Sequence, residues 1–441
     1  MIAPARIAAY ETVLAVNAGK SDLPSALHRA RQPLKDERDR ALAGEIATGA
    51  LRWQGASDHV VEAFAGRPIT KLDREVLAIL RISIFQLLHL DRVPASAVVD
   101  DAVELARRAG KKSASGFVNA LLRRVSRERK TLPLPAAPAI DVLSITLSHP
   151  RWLAERWLQR HGEEATLAWT RFNNEPAPLT LRANTLKTTR DDLIASLAEV
   201  GVTAQPAKYA ADALIVTAGN PLLTPLAHTG VFVVQDEASQ LVGDFVSASP
   251  GERIFDACAS PGGKTTQMAA AMTGAGSIVA ADVRDRRMAL LRRTVKESGA
   301  TNVHLVQANA RVAALGPSTF DAVLLDAPCS GLGTIRRDPD IRWRRGEQDL
   351  PALAEAQSRM LAALAELVRP GGRLIYATCS SEPEENEAVV ADFLDARPDF
   401  VRRVPARFEA GGVLDADGSL RTLPYRHGLE AFYAACLVRV R

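Results

Sequence analysis

The chain has 441 residues, more than one hydrophobic core usually serves, so two or three domains are expected. Hydrophobic content of 47% with 24% charged residues excludes a disordered or fibrous chain and describes an ordinary folded protein. The net charge of +4 is unevenly spread: residues 1–130 carry 22 Lys and Arg against 15 Asp and Glu, a balance of +7 that leaves −3 for the rest.

The N-terminal stretch "MIAPARIAAYETVLAV" carries charges among apolar residues at helical spacing, unlike a signal peptide. Residues 1–130 read as an all-helical domain. In "REVLAILRISIFQLLHL", Val76, Leu77, Leu80, Ile84, Leu87 and Leu88 form one broad stripe at three- and four-residue steps. Pro94 breaks the pattern, and "ASAVVDDAVELARRAG" restarts it with Ser96 as N-cap and Gly110 as the stop. From Arg107 to Lys130 nine basic residues face one acid, Glu128, which is either a solvated helix face or a contact surface for an anionic partner such as RNA.

The Pro-rich "TLPLPAAPAID" places a linker at 131–144. Residues 145–235 read as a small α+β unit: a helix around "PRWLAERWLQRHG", a strand in "LTLRANTL" and a helix around "RDDLIASLAEVG". The longest uncharged stretch, "ALIVTAGNPLLTPLAHTGVFVV", is interrupted by Asn220, Pro221 and Pro225, so it reads as strand, loop, strand and not as a membrane span. From residue 236 onward, and clearly from Gly251, strands and helices alternate, the pattern of a doubly wound parallel sheet. Ligands in such sheets bind outside the carboxyl ends of the strands.

The first such end is "DACASPGGKT", residues 256–265, where Gly262 and Gly263 let a ligand approach the backbone and a helix N-terminus. Neither GxxxxGK[ST] nor GxGxxG matches. Asp282 follows at the next strand end, eighteen residues after Lys264, where a carboxylate can accept two ribose hydroxyls or merely cap a turn. A nucleoside with free ribose hydroxyls, such as S-adenosylmethionine, satisfies this layout.

The four cysteines, at 258, 329, 379 and 436, contain no CxxC pair, which excludes a structural zinc site and a disulfide framework and fits a reducing setting. Cys258 and Cys436 read as small buried hydrophobes. Cys329 in "LDAPCSGLG" and Cys379 in "IYATCSSEP" instead each end a hydrophobic run. Methyl transfer to C5 of a pyrimidine calls for such a group, because C5 becomes nucleophilic only after a thiolate has added at C6. A second group must then handle the C5 proton. A methyltransferase of exocyclic amines would show Asn/Asp-Pro-Pro-aromatic where this chain has Asp-Ala-Pro-Cys.

On "DACASPGGKT", "LDAPCSGLG", "GGRLIYATCS", "VVQDEAS" and "HGLEAFYAA", the chain resembles the Sun/Fmu family of RNA cytosine-C5 methyltransferases. Through "ALRWQ", "LRISIFQLLHLDRVPASAVVDDAVELA" and "FVNALLRRVSR", residues 1–130 are similar to the antitermination factor NusB. The resemblance implies a NusB-like RNA-binding domain, a small α+β RNA-recognition unit at 145–235 and a Rossmann-like S-adenosylmethionine-dependent methyltransferase domain at 236–441. It implies Cys379 as nucleophile and Cys329 as the cysteine assisting release. It further implies that Cys258, Ala259, Ser260, Pro261, Gly262, Gly263, Lys264, Asp282, Asn309 and Asp326 contact S-adenosylmethionine. Where the family commonly has Asp, this chain has Asn309, which keeps an acceptor for the adenine amino group without the charge, or is merely a turn residue. The implied substrate is small-subunit (16S) ribosomal RNA, not fully assembled, with transfer RNA and a non-catalytic assembly role as alternatives. A cytoplasmic monomer without metal or membrane attachment is expected. Finally, "IRRDPDIRWRR" at 335–345 interleaves Arg336, Arg337, Arg342, Arg344 and Arg345 with Trp343: either arginines on phosphates beside a base-stacking aromatic, or a solvated loop with a buried Trp.

Overall fold

The computed structural model describes residues 2–309, 316–408 and 410–440 and divides into two compact units. The first comprises Met1–Pro176 with Ile335–Glu347, and the second Ala177–Thr334 with Gln348–Arg441. Among the described residues, no helix is long and apolar enough to cross a membrane.

In the first unit the helices Pro4–Asn17, Leu23–Arg31, Glu37–Arg52, Gln54–Ala65, Arg74–His89, Ala95–Arg108 and Ser115–Arg127 pack around one core. The stripe read in Arg74–His89 is only part of what that helix buries. Ile79, Ile82, Ser83 and Phe85 are covered as well, so the helix is central and enclosed on most faces. Arg81 tolerates this burial because Asp58 pairs with it at 2.7 Å. Ala95–Arg108 starts directly after Pro94, which occupies the N-cap position, so Ser96 lies inside the helix and caps nothing. Gly110, at φ 75°, lies just beyond its end.

The helix Arg151–Asn174 also belongs to this unit; it bends at Gly162 and stacks Trp157 on Trp169 with centroids 4.4 Å apart. So does Ile335–Glu347, where Trp343 is half-buried and its Nε1 donates to Leu51 O at 2.7 Å. Arg342 is fully buried and donates to Ser148 O at 2.8 Å and Asn174 Oδ1 at 3.0 Å. The physical reason lies in the helix ends beside it. Arg342 also donates to Arg52 O at 3.3 Å and Asn173 O at 3.4 Å, C-terminal carbonyls of Glu37–Arg52 and Arg151–Asn174 that need donors and favour a cation.

The second unit contains two sheets. In the first, β1 (Leu179–Ala183), β2 (Thr203–Pro206), β3 (Ala213–Ala218) and β4 (Phe232–Val234) are antiparallel in the order β2-β3-β1-β4. The helix Arg190–Glu199 lies between β1 and β2 in sequence, and Thr189 caps it by accepting from Asp192 N at 3.1 Å.

The second sheet is formed by β5 (Arg253–Asp256), β6 (Ser277–Asp282), β7 (Val303–Gln307), β8 (Phe320–Asp326), β9 (Val368–Thr378), β10 (Phe400–Arg403), β11 (Leu420–Arg421) and β12 (Tyr433–Arg439). Its order is β10-β12-β9-β8-β5-β6-β7, with β11 on β12. From β7 to β9 all pairs are parallel, and Ala322–Leu325 and Leu374–Ala377 are buried on both faces. The expected all-parallel sheet is corrected at one edge. β12 runs antiparallel to β9, and β10 and β11 antiparallel to β12, so the C-terminal strand returns without a crossover helix. Strand order reverses between β5 and β8, which opens a crevice at their carboxyl ends.

Candidate active site

Apart from 335–345, which belongs to the first unit, the motifs singled out from residue 256 to 379 fall at the carboxyl ends of β5, β6, β7, β8 and β9. β5 ends at Asp256 and the chain turns through Cys258, Ala259, Ser260 and the exposed Pro261 into the helix Gly263–Ala271. Gly262 has φ 105°, which calls for glycine, and a Cβ there would also lie 2.9 Å from the Leu291 Cδ1 methyl, which would have to shift. Asp256 is fully buried and accepts from Thr265 Oγ1 at 2.7 Å. Burial pushes it up to about 7, with that hydrogen bond opposing. Burial likewise pushes the Cys258 thiol up to about 12, helped by Asp326, Asp256 and Asp282.

Asp282, at the end of β6, is 3% exposed. Its Oδ1 accepts from Val283 N at 2.8 Å, while Oδ2 is buried without a hydrogen-bond partner, Arg287 Nε being 3.8 Å away. An unsatisfied buried carboxylate oxygen beside a glycine turn is what a ribose hydroxyl would satisfy, so these residues fit S-adenosylmethionine. Asn309 is exposed and follows β7; residues 310–315 next to it lie outside the described residues.

Lys264 and Asp326 come together across β5 and β8, Nζ to Oδ2 at 2.8 Å. Burial lowers Lys264, but the charge and hydrogen bond of Asp326, with Cys379 and Asp256, together outweigh it and hold the ammonium above its ordinary value. The two cysteines meet because their strands are parallel neighbours in register. Asp326 lies opposite Ala377, so three residues beyond one and two beyond the other bring Cys329 Sγ to 3.2 Å from Cys379 Sγ. The hydrogen bond with Cys329, and then burial, hold the Cys379 thiol well above its ordinary value; Lys264 acts the other way. Cys436 is a 1% exposed core residue of β12, pushed up to about 12 by burial. Gly333 of "LDAPCSGLG" joins the other two motifs: its N donates to Cys379 O at 2.9 Å and Ala431 N of "HGLEAFYAA" donates to its O at 3.0 Å, where a Cβ on Gly333 would collide.

Two charged residues went unnoticed in the sequence. Arg182, inside β1 and 2% exposed, donates to Gly263 O and Gln235 Oε1, both at 2.5 Å, and to Thr266 Oγ1 at 2.9 Å. It thereby ties the small sheet to the glycine turn; burial lowers it to about 10. The only signal was a lone Arg in an otherwise apolar strand pattern. Glu385, fully buried behind the two cysteines, left still less, standing in an acidic run that reads as solvent-exposed.

The reversal between β5 and β8, the unsatisfied carboxylate at the next strand end and the glycine turn define a Rossmann-like methyltransferase domain, whose cofactor is S-adenosylmethionine. Residues 245–438 match the family described as 16S rRNA methyltransferase RsmB/F, residues 3–127 the NusB family, and residues 149–222 an RsmF/B-like ferredoxin-like domain. The ribosomal RNA small subunit methyltransferase B of Pseudomonas putida is 36% identical over 438 residues, covering 99% of this chain and 98% of that protein. A probable enzyme of the same name from Bacillus subtilis is 33% identical over 409 residues, 90% of each. The crystal structure of PH0851 covers 100% of this chain and 99% of its own at 28% identity, with a TM-score of 0.84. The chain belongs to the RsmB/F family of 16S rRNA methyltransferases.

Proposed function

We propose that this enzyme methylates C5 of a cytosine in small-subunit ribosomal RNA, with Cys379 as nucleophile and Cys329 as the group that permits release. The observation that carries the reading is the 3.2 Å approach of two thiols at the ends of β8 and β9, with the Lys264–Asp326 pair adjoining. The names of the relatives supply the choice of RNA.

At rest Cys379 is a thiol, so its proton must pass to solvent as the base enters, and the Lys264 ammonium favours the thiolate that remains. The thiolate adds to C6, the C5–C6 pair becomes available at C5, and C5 takes the methyl group. S-adenosylmethionine supplies that methyl. Cys329, having lost its own proton to solvent, then accepts the proton from C5 as a thiolate, and the electron pair of the broken C–H bond reforms the double bond and expels Cys379 as its thiolate. On this reading Cys258, Ala259, Ser260, Pro261, Gly262, Gly263, Lys264, Asp282, Asn309 and Asp326 surround the cofactor, with Asp282 on the ribose. A cytosine in a helix must be unstacked to reach the thiol. Residues 1–130 dock the RNA, and the small sheet orients it over the crevice. A non-catalytic assembly role gives no reason for both thiols to converge.

Bisulfite sequencing of small-subunit ribosomal RNA tests the product. One protected cytosine in the parent strain should lose protection on deletion and regain it with the wild-type gene but not with Cys379→Ala. An unchanged protection pattern in the deletion strain would overturn the choice of RNA.

A further inference from the structure

We infer that Glu385 is the positioning residue that holds the Cys329 loop at working distance from Cys379, so that its loss stalls release of methylated RNA and spares attack. The inference rests on the covalent reading above. The β8–β9 ladder ends with Ala327 N donating to Ala377 O at 2.8 Å, so neither cysteine is placed by a strand hydrogen bond beyond it. Glu385 takes over there. Its Oε1 accepts from Ser330 N at 2.8 Å, one residue past Cys329, and its Oε2 from Ser380 Oγ at 2.6 Å, one residue past Cys379. The two hydroxyls, Ser330 Oγ and Ser380 Oγ, are themselves 3.1 Å apart. Gln357 Nε2 adds a third donor to Oε1 at 2.9 Å and holds Pro328 O at 3.0 Å. Tyr376 OH fixes the Glu385 backbone by donating to its carbonyl at 2.5 Å.

Each of these side-chain contacts is with a donor, so a fully buried carboxylate is satisfied as an acceptor without any basic partner. The Cys379 loop has an independent hold: Asn386 Nδ2 donates to Ser380 O at 3.0 Å, and Thr378 Oγ1 bonds Asn386 Oδ1. On the Cys329 side Glu385 holds a backbone amide, Ser330 N, next to the cysteine, whereas on the Cys379 side it holds only the Ser380 hydroxyl. Gln357 on Pro328 O and the Gly333 contacts fix the Cys329 loop on the other side of the cysteine or two or more residues further off. Losing the carboxylate therefore frees the second cysteine more than the first. Gln at 385 can keep Oε1 on Ser330 N and donate its amide to Ser380 Oγ, which in turn donates to Ser330 Oγ. Asp is one methylene too short to reach both loops.

The test follows covalent complexes on denaturing gels during a single turnover, using transcribed small-subunit ribosomal RNA and S-adenosylmethionine. Glu385→Ala should form adduct at the wild-type rate and release it roughly a hundredfold more slowly, the cost of about an ångström of misplacement. Calorimetric affinity for S-adenosylmethionine should be unchanged, and Glu385→Gln should restore release. Should Glu385→Ala fail to fold, Glu385→Asp is expected to show the same slow release. Wild-type release in a folded Ala or Asp variant, equal slowing of attack and release, or failure of Gln to restore release would each overturn the assignment. Cys329→Ala, run in parallel, separates the two readings. If it traps no RNA, the covalent mechanism fails and Glu385's role with it; if it traps RNA while Glu385→Ala does not, only the latter fails.

Discussion

The Cys379 thiol is held protonated by its neighbour, which sets what the resting enzyme can do. Because the folded protein raises this thiol, its thiolate fraction at neutral pH is below that of a free cysteine. Alkylation of Cys379 by iodoacetamide, read by peptide mapping of the isolated protein, should be slower than that of free cysteine at pH 7.5. It should climb by about tenfold per pH unit while the thiol stays mostly protonated. Cys329→Ala removes the largest cause of the shift and should accelerate labelling of Cys379 at pH 7.5; labelling that is already fast in the wild type would contradict the electrostatics. This pair of thiols was legible in the sequence because each cysteine closes a local motif at a strand end. Arg182 and Glu385 were not legible, since what makes each useful is a partner 81 or 55 positions away that only the fold supplies.

Among elements, the parallel β8–β9 pair does most to build the site, because its register makes residues 329 and 379 neighbours. The turn after β5 depends on glycine. Gly262→Ala, with positive φ and a Cβ close to Leu291, should cost about 1–3 kcal/mol in chemical denaturation and weaken cofactor binding in calorimetry. Asp256 in the same element gives a pH signature. Its folded value of about 7 lies above the ordinary carboxylate value, so the folded state binds the extra proton, and the destabilisation grows as pH rises through that interval. Asp256→Asn should therefore raise the unfolding midpoint at pH 8, with the gain shrinking toward pH 5; a gain that grew on acidification would refute the sign. The segment 335–345 was the least legible element. Five arginines in eleven residues signal a surface, yet Arg342 is buried on helix-end carbonyls, a destination that no local pattern encodes.

At the scale of the molecule, the helical unit carries the excess positive charge and the other unit carries the cysteines and the glycine turn after β5. Part of the cluster read in the sequence is spent internally: Arg124 and Arg127 pair with Glu128, and Arg107 with Glu104. Arg108, Lys112, Arg129 and Lys130 are exposed and form no ion pair among the described residues. Replacing Arg108, Arg129 and Lys130 with Ala should weaken RNA affinity and flatten its salt dependence, by up to about 0.9 in logarithmic slope for each duplex phosphate no longer neutralised, with cofactor affinity unaltered. An unchanged slope would make the cluster a solvated face. The domain order was readable because periodicity changes from helical to alternating along the chain, whereas the antiparallel β12 edge was not, since its apolar run suits either direction.

The covalent step is tested most directly by incubating Cys329→Ala, Cys379→Ala and the double variant with transcribed small-subunit ribosomal RNA and S-adenosylmethionine, then resolving the products on a denaturing gel. Cys329→Ala should give a ribonuclease-sensitive band above the free protein, and the other two none, because attack by Cys379 proceeds while elimination stalls. Adduct on Cys379→Ala and none on Cys329→Ala would reverse the two roles, and turnover by both single variants without any adduct would contradict the covalent mechanism itself.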